Sequence, residues 1–132
     1  MGRTVKLLLD THAALWWWEN SPALGDAARK AMADPDNEIF FSAASAYEIS
    51  QKVRLGRLIV PAELAGNLAS VVRDEGWVPL PLTIAEAALA ASIRHEHRDP
   101  FDRMLAAQCQ IGHFRLASVD GVFDRFSVKR IW

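Results

Sequence analysis

Apolar residues along this chain come in two rhythms, and the changes between them mark out its elements. VKLLL (Val5–Leu9) is a continuous, mostly apolar run closed by Asp10, the pattern of a strand buried on both faces of a parallel sheet. Thr11–Glu19 follows with helical spacing and stops at Asn20. Ser21-Pro22 predicts a second helix reaching Met32, with Ser21 as cap and Pro22 in the first position. Asp34–Asn37 has turn composition, and EIFFS (Glu38–Ser42) is a second strand. A helix runs from Ala43 to about Leu55, where Gly56 stops it. Pro61 opens another, predicted to continue through Val72 to Gly76. WVPLPL is a weaker strand, confined to a sheet edge by Pro79 and Pro81. Thr83 caps an alanine-rich helix, Ile84–His95, and Asp99-Pro100 starts the last long one, ending near Gly112. Leu116–Val119 is a strand, Gly121–Phe126 a helical turn, and SVKRIW a final strand. Strands alternating with helices specify an α/β fold with a mainly parallel central sheet.

Composition narrows the class without naming a partner. The 132 residues are 51% hydrophobic and 23% charged, the usage of one globular domain with a proper core. Fifteen basic and sixteen acidic residues leave a net charge of −1, so a polyanion would have to be met by a local patch or a metal ion. Cys109 is the single cysteine; it excludes an internal disulfide and a cysteine-based zinc site, and its apolar neighbours make it a buried small residue. A reducing cytoplasm suits that usage, and Met1–Lys6 carries no leader pattern. The apolar stretch around LLLDTHAALWWW is interrupted by Asp10 and His12 and is too short for a membrane span.

The acids are placed more tellingly. Asp10 directly follows one buried strand and Asp120 follows another, and open α/β sheets bind ligands beyond the carboxyl ends of their strands. Glu48 lies mid-helix in FSAASAYEIS, with Ser45 three positions earlier on the same face. An ionised Glu in so apolar a helix is costly unless paired or metal-bound. Asp102 is in the first turn of the helix that HRDPFDRMLAAQ opens. Four acids at one rim would suit Mg2+ or Mn2+, which take hard oxygen ligands and work on substrate phosphates. Each also has a purely structural reading: Asp10 and Asp120 as helix caps, Asp102 as a dipole partner, Glu48 paired with Lys52.

LLLDTHAALWW, FFSAASAYEIS, HRDPFDRMLAAQ and LASVDGVF, in that order, resemble the PIN-domain family. The likeness is strongest to the toxin ribonucleases of bacterial VapBC-type toxin–antitoxin pairs, and it runs almost end to end. It implies a single PIN domain over residues 1–132, a three-layer α/β/α domain with a mainly parallel central sheet. It further implies a Mg2+- or Mn2+-dependent endoribonuclease whose metal and catalytic acids fall on Asp10, Glu48, Asp102 and Asp120. Thr11, Ser45, Asp99, Arg103 and Ser118 fall on supporting positions. The implied partners are RNA, a cognate antitoxin and a second copy of the chain. In the family a Thr often precedes the last acid by two positions, where Ser118 keeps the hydroxyl; Gly121 stands where a basic residue is frequent.

Several residues remain open to more than one role. Trp16-Trp17-Trp18 cannot all face one core, since successive helical residues point about 100° apart; an interface or a straddling of core and rim both accommodate them. His95 and His97 are expected to be solvated helix-end residues, His12 to stand at the pocket rim or serve structure. Arg103 is the candidate for phosphate contact, with a salt bridge to Asp99 or Glu96 as the alternative. Arg54, Arg57, Arg94 and Arg98 are a basic rim or ordinary surface, and Asp124 belongs to the exposed face of the last helical turn. A catalytically weak PIN-type module that binds an antitoxin or RNA is the competing function. A phosphoacceptor receiver fits less well: it would bunch acids after the first strand and set a late lysine before a helix, whereas Lys129 is on the final strand.

Overall fold

The computed structural model describes residues 4–132; the first three residues of the stretch read as carrying no leader lie outside them. Its elements in chain order are β1 (Lys6–Leu9), α1 (Thr11–Trp18), α2 (Asp26–Ala33), β2 (Glu38–Ser42), α3 (Ala43–Arg54), α4 (Ala62–Ala65), α5 (Leu68–Asp74), β3 (Val78–Leu80), α6 (Ile84–Ser92), α7 (Pro100–Gly112), β4 (Arg115–Ala117), a 3-10 turn (Gly121–Phe126) and β5 (Arg130–Ile131). The strands form one sheet in the order β3-β2-β1-β4-β5. All four pairings are parallel, so the expected mainly parallel sheet is wholly so.

β1 is central and buried on both faces, with Leu7, Leu8 and Leu9 fully enclosed. Its pleat divides the core in two. Leu7 and Leu9 join Ile39, Phe41, Leu24, Ile49 and Val72 on the side covered by α1 to α5. Leu8 joins Phe40, Leu105, Phe114, Leu116 and Phe123 on the side covered by α7. Helix, sheet and helix thus make three layers. β1 leads outward to β2 and β3, while β4 and β5 lie on the other side of β1. The chain reverses its winding between β1 and β4, which opens a crevice at their carboxyl ends.

Three helix boundaries differ from the sequence expectation. Pro22 does not start a helix: Ser21 Oγ accepts from Ala23 N at 3.1 Å, Leu24 is plugged into the core, and α2 begins only after extended Gly25. The helix expected from Pro61 to Gly76 is two pieces, broken at Gly66 and at Asn67, whose φ of −139° is not helical. The helix expected to reach His95 ends at Ser92, because Ile93 turns to extended geometry. β3 is an edge strand carrying Pro79, as its prolines require. Among the described residues no helix is long and apolar enough to cross a membrane. Cys109 is buried, and burial pushes its thiol up to about 12.

Candidate active site

β1 delivers Asp10 to the crevice and α1 starts immediately behind it. Asp10 caps α1, its Oδ1 accepting from Thr11 N at 2.7 Å. Its Oδ2 accepts from Ser118 Oγ at 2.7 Å, and that hydroxyl in turn accepts from Asp120 N at 3.0 Å. Ser118, itself buried, therefore ties the two strand-end acids into one frame. Asp10 is 8% exposed; burial raises its pKa above the ordinary carboxylate range, with the Glu48 charge adding a smaller push in the same direction.

Glu48 is buried on α3, and both its oxygens are held. Thr11 Oγ1 donates to Oε1 at 2.6 Å and lies 3.0 Å from Ser45 Oγ. Lys52 Nζ stands 2.5 Å from Oε2, one turn further along the helix. The pairing of Glu48 with Lys52, expected as an alternative to a pocket role, exists together with that role.

Asp99 caps α7 through Oδ1, which accepts from Phe101 N at 2.8 Å and Asp102 N at 3.2 Å. Asp102 is in that helix's first turn, and His97 Nε2 stands 2.7 Å from its Oδ2. Burial is the main reason the Asp102 carboxyl is pushed up to about 6; neighbouring Asp99 and Asp10 add to the rise and the His97 contact opposes it. Asp120 caps the 3-10 turn through Val122 N at 3.0 Å.

These acids line one cavity of about 380 Å3 with Asp99, His12, Trp16, Lys52 and Val119. Asp10, Glu48, Asp102 and Asp120 thus all border the same cavity. They do not form a closed ligand cage: among the described residues no three Asp, Glu, His or Cys side chains are gathered as one. Each carboxylate is instead engaged by a protein donor. The donor set is all oxygen, burial opposes the charge of Asp10 and Asp102, and neighbouring acids add to the rise at each, which is the chemistry a hard dication relieves.

Two residues take roles other than those expected. Arg103, the candidate for phosphate contact, makes no salt bridge to Asp99 or Glu96. Its guanidinium donates to the carbonyls of Ala90 (2.8 Å), Ala91 (3.4 Å), His95 (3.3 Å), His97 (3.0 Å) and Ile93. One residue after Asp102 on a helix points about 100° away, toward the end of α6. His97 is not a solvated helix-end residue. It is part of a loop whose carbonyls Arg103 gathers, its amide donates to His95 Nδ1 at 3.0 Å, and its ring reaches Asp102. The HRDPFD spacing holds the only sequence signal for this: a chain reversal at Asp99-Pro100 folds His97 back over the first helical turn.

The tryptophan triplet straddles core and rim. Trp18 packs on Phe41 and Trp77, Trp17 on Trp77, and Trp16 on Trp132. Asp124 is exposed and paired with Arg130 at 2.9 Å, which holds its carboxyl below the usual range.

Fold and site together define a doubly wound α/β protein with an acidic cavity at the switch point of its parallel sheet. The chain belongs to the PIN domain family, whose model matches residues 7–129; PIN domains are generally nucleases, which makes hydrolysis of nucleic acid the general class of activity. Among solved structures the chain is similar to FitAcB from Neisseria gonorrhoeae, at 20% identity and TM-score 0.61, over 94% of this chain and 95% of that one. It is similar also to FitAB bound to an IR36 DNA fragment (18%, TM-score 0.63, 94% and 92%). VapBC2 from Rickettsia felis, bound to a DNA fragment from its promoter, gives 12% identity and TM-score 0.70 over 97% and 100%. At these identities the likeness is one of fold. No curated protein sequence matches significantly.

Proposed function

We propose that the protein is a metal-dependent endoribonuclease acting in the cytoplasm as the toxin of a toxin–antitoxin pair. The observation that supports the hydrolase reading is the cavity itself, bordered by carboxylates that follow β1 and β4 and stand on α3 and α7, with burial opposing the charge of Asp10 and Asp102. The toxin reading rests on the sequence resemblance and on the fold shared with the FitAB and VapBC2 assemblies. In this reading the partners are an RNA substrate, an antitoxin chain and a second copy of the protein.

Asp10, Glu48, Asp102 and Asp120 would hold Mg2+ or Mn2+. When bound, such an ion supplies a polarised water and charge stabilisation for displacement at a phosphodiester. The chain's own residues set the stage. Ser118 and the Thr11 amide fix both oxygens of Asp10, Thr11 Oγ1 fixes Glu48, and His97 fixes one oxygen of Asp102. Lys52 offsets the Glu48 charge. Asp99 shapes the start of α7 and so the direction of Asp102.

The test is cleavage of a mixed RNA pool with Mg2+ or Mn2+, against an EDTA control. Asp102→Asn keeps the size and the helix start but removes the charge, and it should abolish cleavage. Asp99→Asn, which caps about as well as Asp, should be nearly silent in stability. Cleavage surviving in Asp102→Asn or in EDTA would overturn the metal role. Induced expression should arrest growth, and the Asp102→Asn chain should not.

A further inference from the structure

Trp16 and His12 line the same cavity as the four carboxylates. They stand four residues apart on α1 and so share a helix face. Their ring centroids are 5.3 Å apart with the planes inclined at 40°, an open wedge at the cavity mouth; His12 is exposed and Trp16 half-buried. Trp132 backs Trp16 edge-on, with centroids 5.7 Å apart. The seat of Trp132 is itself built: a Cβ on Gly25 would come within 2.6 Å of the Trp132 carbonyl carbon and 2.8 Å of its ring Cδ1. Trp17 and Trp18 have their packing partners in Trp77 and Phe41; Trp16 is the member of the triplet that reaches the cavity.

The charges around the cavity give such a surface a role. Its lining includes Asp10, Glu48, Asp99, Asp102 and Asp120 against one lysine, Lys52, which is already paired with Glu48 at 2.5 Å. Arg103 is committed to backbone carbonyls. A polyanion entering here gains little from ionic contacts with the side chains themselves, so beyond what a bound cation would supply, non-ionic contacts add to its hold. Aromatic rings supply such a contact in the π-faces on which any unpaired base can stack. Bases in a duplex are already stacked and would have to be extruded first.

We infer that His12 and Trp16 form a stacking platform for an unpaired nucleobase adjoining the phosphodiester that is cut. This rests on the hydrolase reading given above. Trp16 supplies the larger ring and the firmer backing; His12 widens the platform on the solvent side.

The experiment uses one single-stranded oligoribonucleotide, prepared intact and with an abasic residue on either side of the cut bond. Binding is measured by fluorescence anisotropy of the labelled RNA in Mg2+, on chains carrying Asp102→Asn so that the RNA stays whole. Cleavage is measured on chains without that change. Trp16→Ala should raise Kd and KM about 5- to 100-fold, and Trp16→Phe should stay within about threefold of its parent. His12→Ala, at an exposed position that does not threaten folding, should shift Kd the same way by less. The abasic RNA should bind the Trp16 parent as weakly as intact RNA binds Trp16→Ala, and removing both ring and base should cost nothing further. Equal Kd for Trp16→Ala, Trp16→Phe and the parent overturns the platform, as does a further full loss when Trp16→Ala meets abasic RNA. Should Trp16→Ala fail to fold by circular dichroism, His12→Ala with the abasic RNAs decides, and equal Kd there overturns the inference. A wild-type chain that cuts no RNA yet shows the Trp16-dependent Kd pattern removes the hydrolase reading and leaves the platform standing. RNA cleavage without that pattern removes the platform alone.

Discussion

Thr11 shows how much one hydroxyl can organise. Its amide caps onto Asp10 and its Oγ1 donates to Glu48 at 2.6 Å, so a single residue positions carboxylates from β1 and α3. Thr11→Val keeps the shape and removes that donor, leaving a buried Glu48 oxygen short of a partner. The change should cost about 1–3 kcal/mol in unfolding by urea and lower cleavage by loosening Glu48. Thr11→Ser should retain most of both. A valine variant with wild-type stability would show that Ser45 and Lys52 suffice. Asp10, Asp102 and Asp120 were legible in the sequence because each sits where a strand ends or a helix starts, positions that pattern alone locates; Glu48 stood out instead as an ionisable residue inside an otherwise apolar helix. Arg103 and His97 were not. Adjacency to Asp102 says nothing of the 100° turn that sends Arg103 to another surface, and the His97 contact depends on how the loop between α6 and α7 reverses.

At the scale of elements, the same loop explains why the boundary of α6 was misplaced. The alanine-rich run favours helix beyond Ser92, but the carbonyls from Ala90 to His97 turn inward onto one guanidinium. A planar fork with five donors suits that task and an ammonium does not. His95 and His97 rest their rings on Phe126, with centroids 4.9 and 6.0 Å away, which closes the loop from its other side. Arg103→Met should destabilise the fold by on the order of 1–3 kcal/mol, since part-buried carbonyls lose a charged donor. Arg103→Lys should recover little. Amide exchange should rise through residues 93–98 in both variants, while the β1 amides keep their protection relative to global stability. If exchange there is unchanged, the loop holds without its clamp. The strands needed no such tertiary knowledge: β1 is three leucines behind a single lysine, and the prolines around β3 exclude any place but an edge. The split of the helix expected at 61–76 was hidden because Gly66 alone does not end a helix; Asn67 leaving helical geometry does.

For the whole molecule, the acidic cavity is a cost to folding when no cation is bound, and its size can be read from pH. Asp102 is pushed from an ordinary 3.8 up to about 6 in the fold, so between those values the native state binds more protons than the unfolded chain. Unfolding free energy then falls as pH rises through that window and stays lower above it. With each unit near 1.4 kcal/mol, the contribution is at most about 3 kcal/mol. Asp10 is raised in the same direction by its burial and adds to the slope. Asn at 102 cannot ionise. In EDTA, Asp102→Asn and wild type should have similar stability near pH 4, and the variant should lead by on the order of 1–3 kcal/mol at pH 7. Mg2+ should narrow that gap by stabilising the wild type, because an ion bound only by the native state shifts folding by mass action. Urea titrations at several pH values, with and without Mg2+, measure all of this. A variant no more stable than the wild type at pH 7 without metal would mean that Asp102 is an ordinary helix-start acid, matched to its dipole and solvent. A gap that opens between pH 4 and 6 and narrows with Mg2+ identifies it as a carboxylate held in place against its own stability for the sake of a cation.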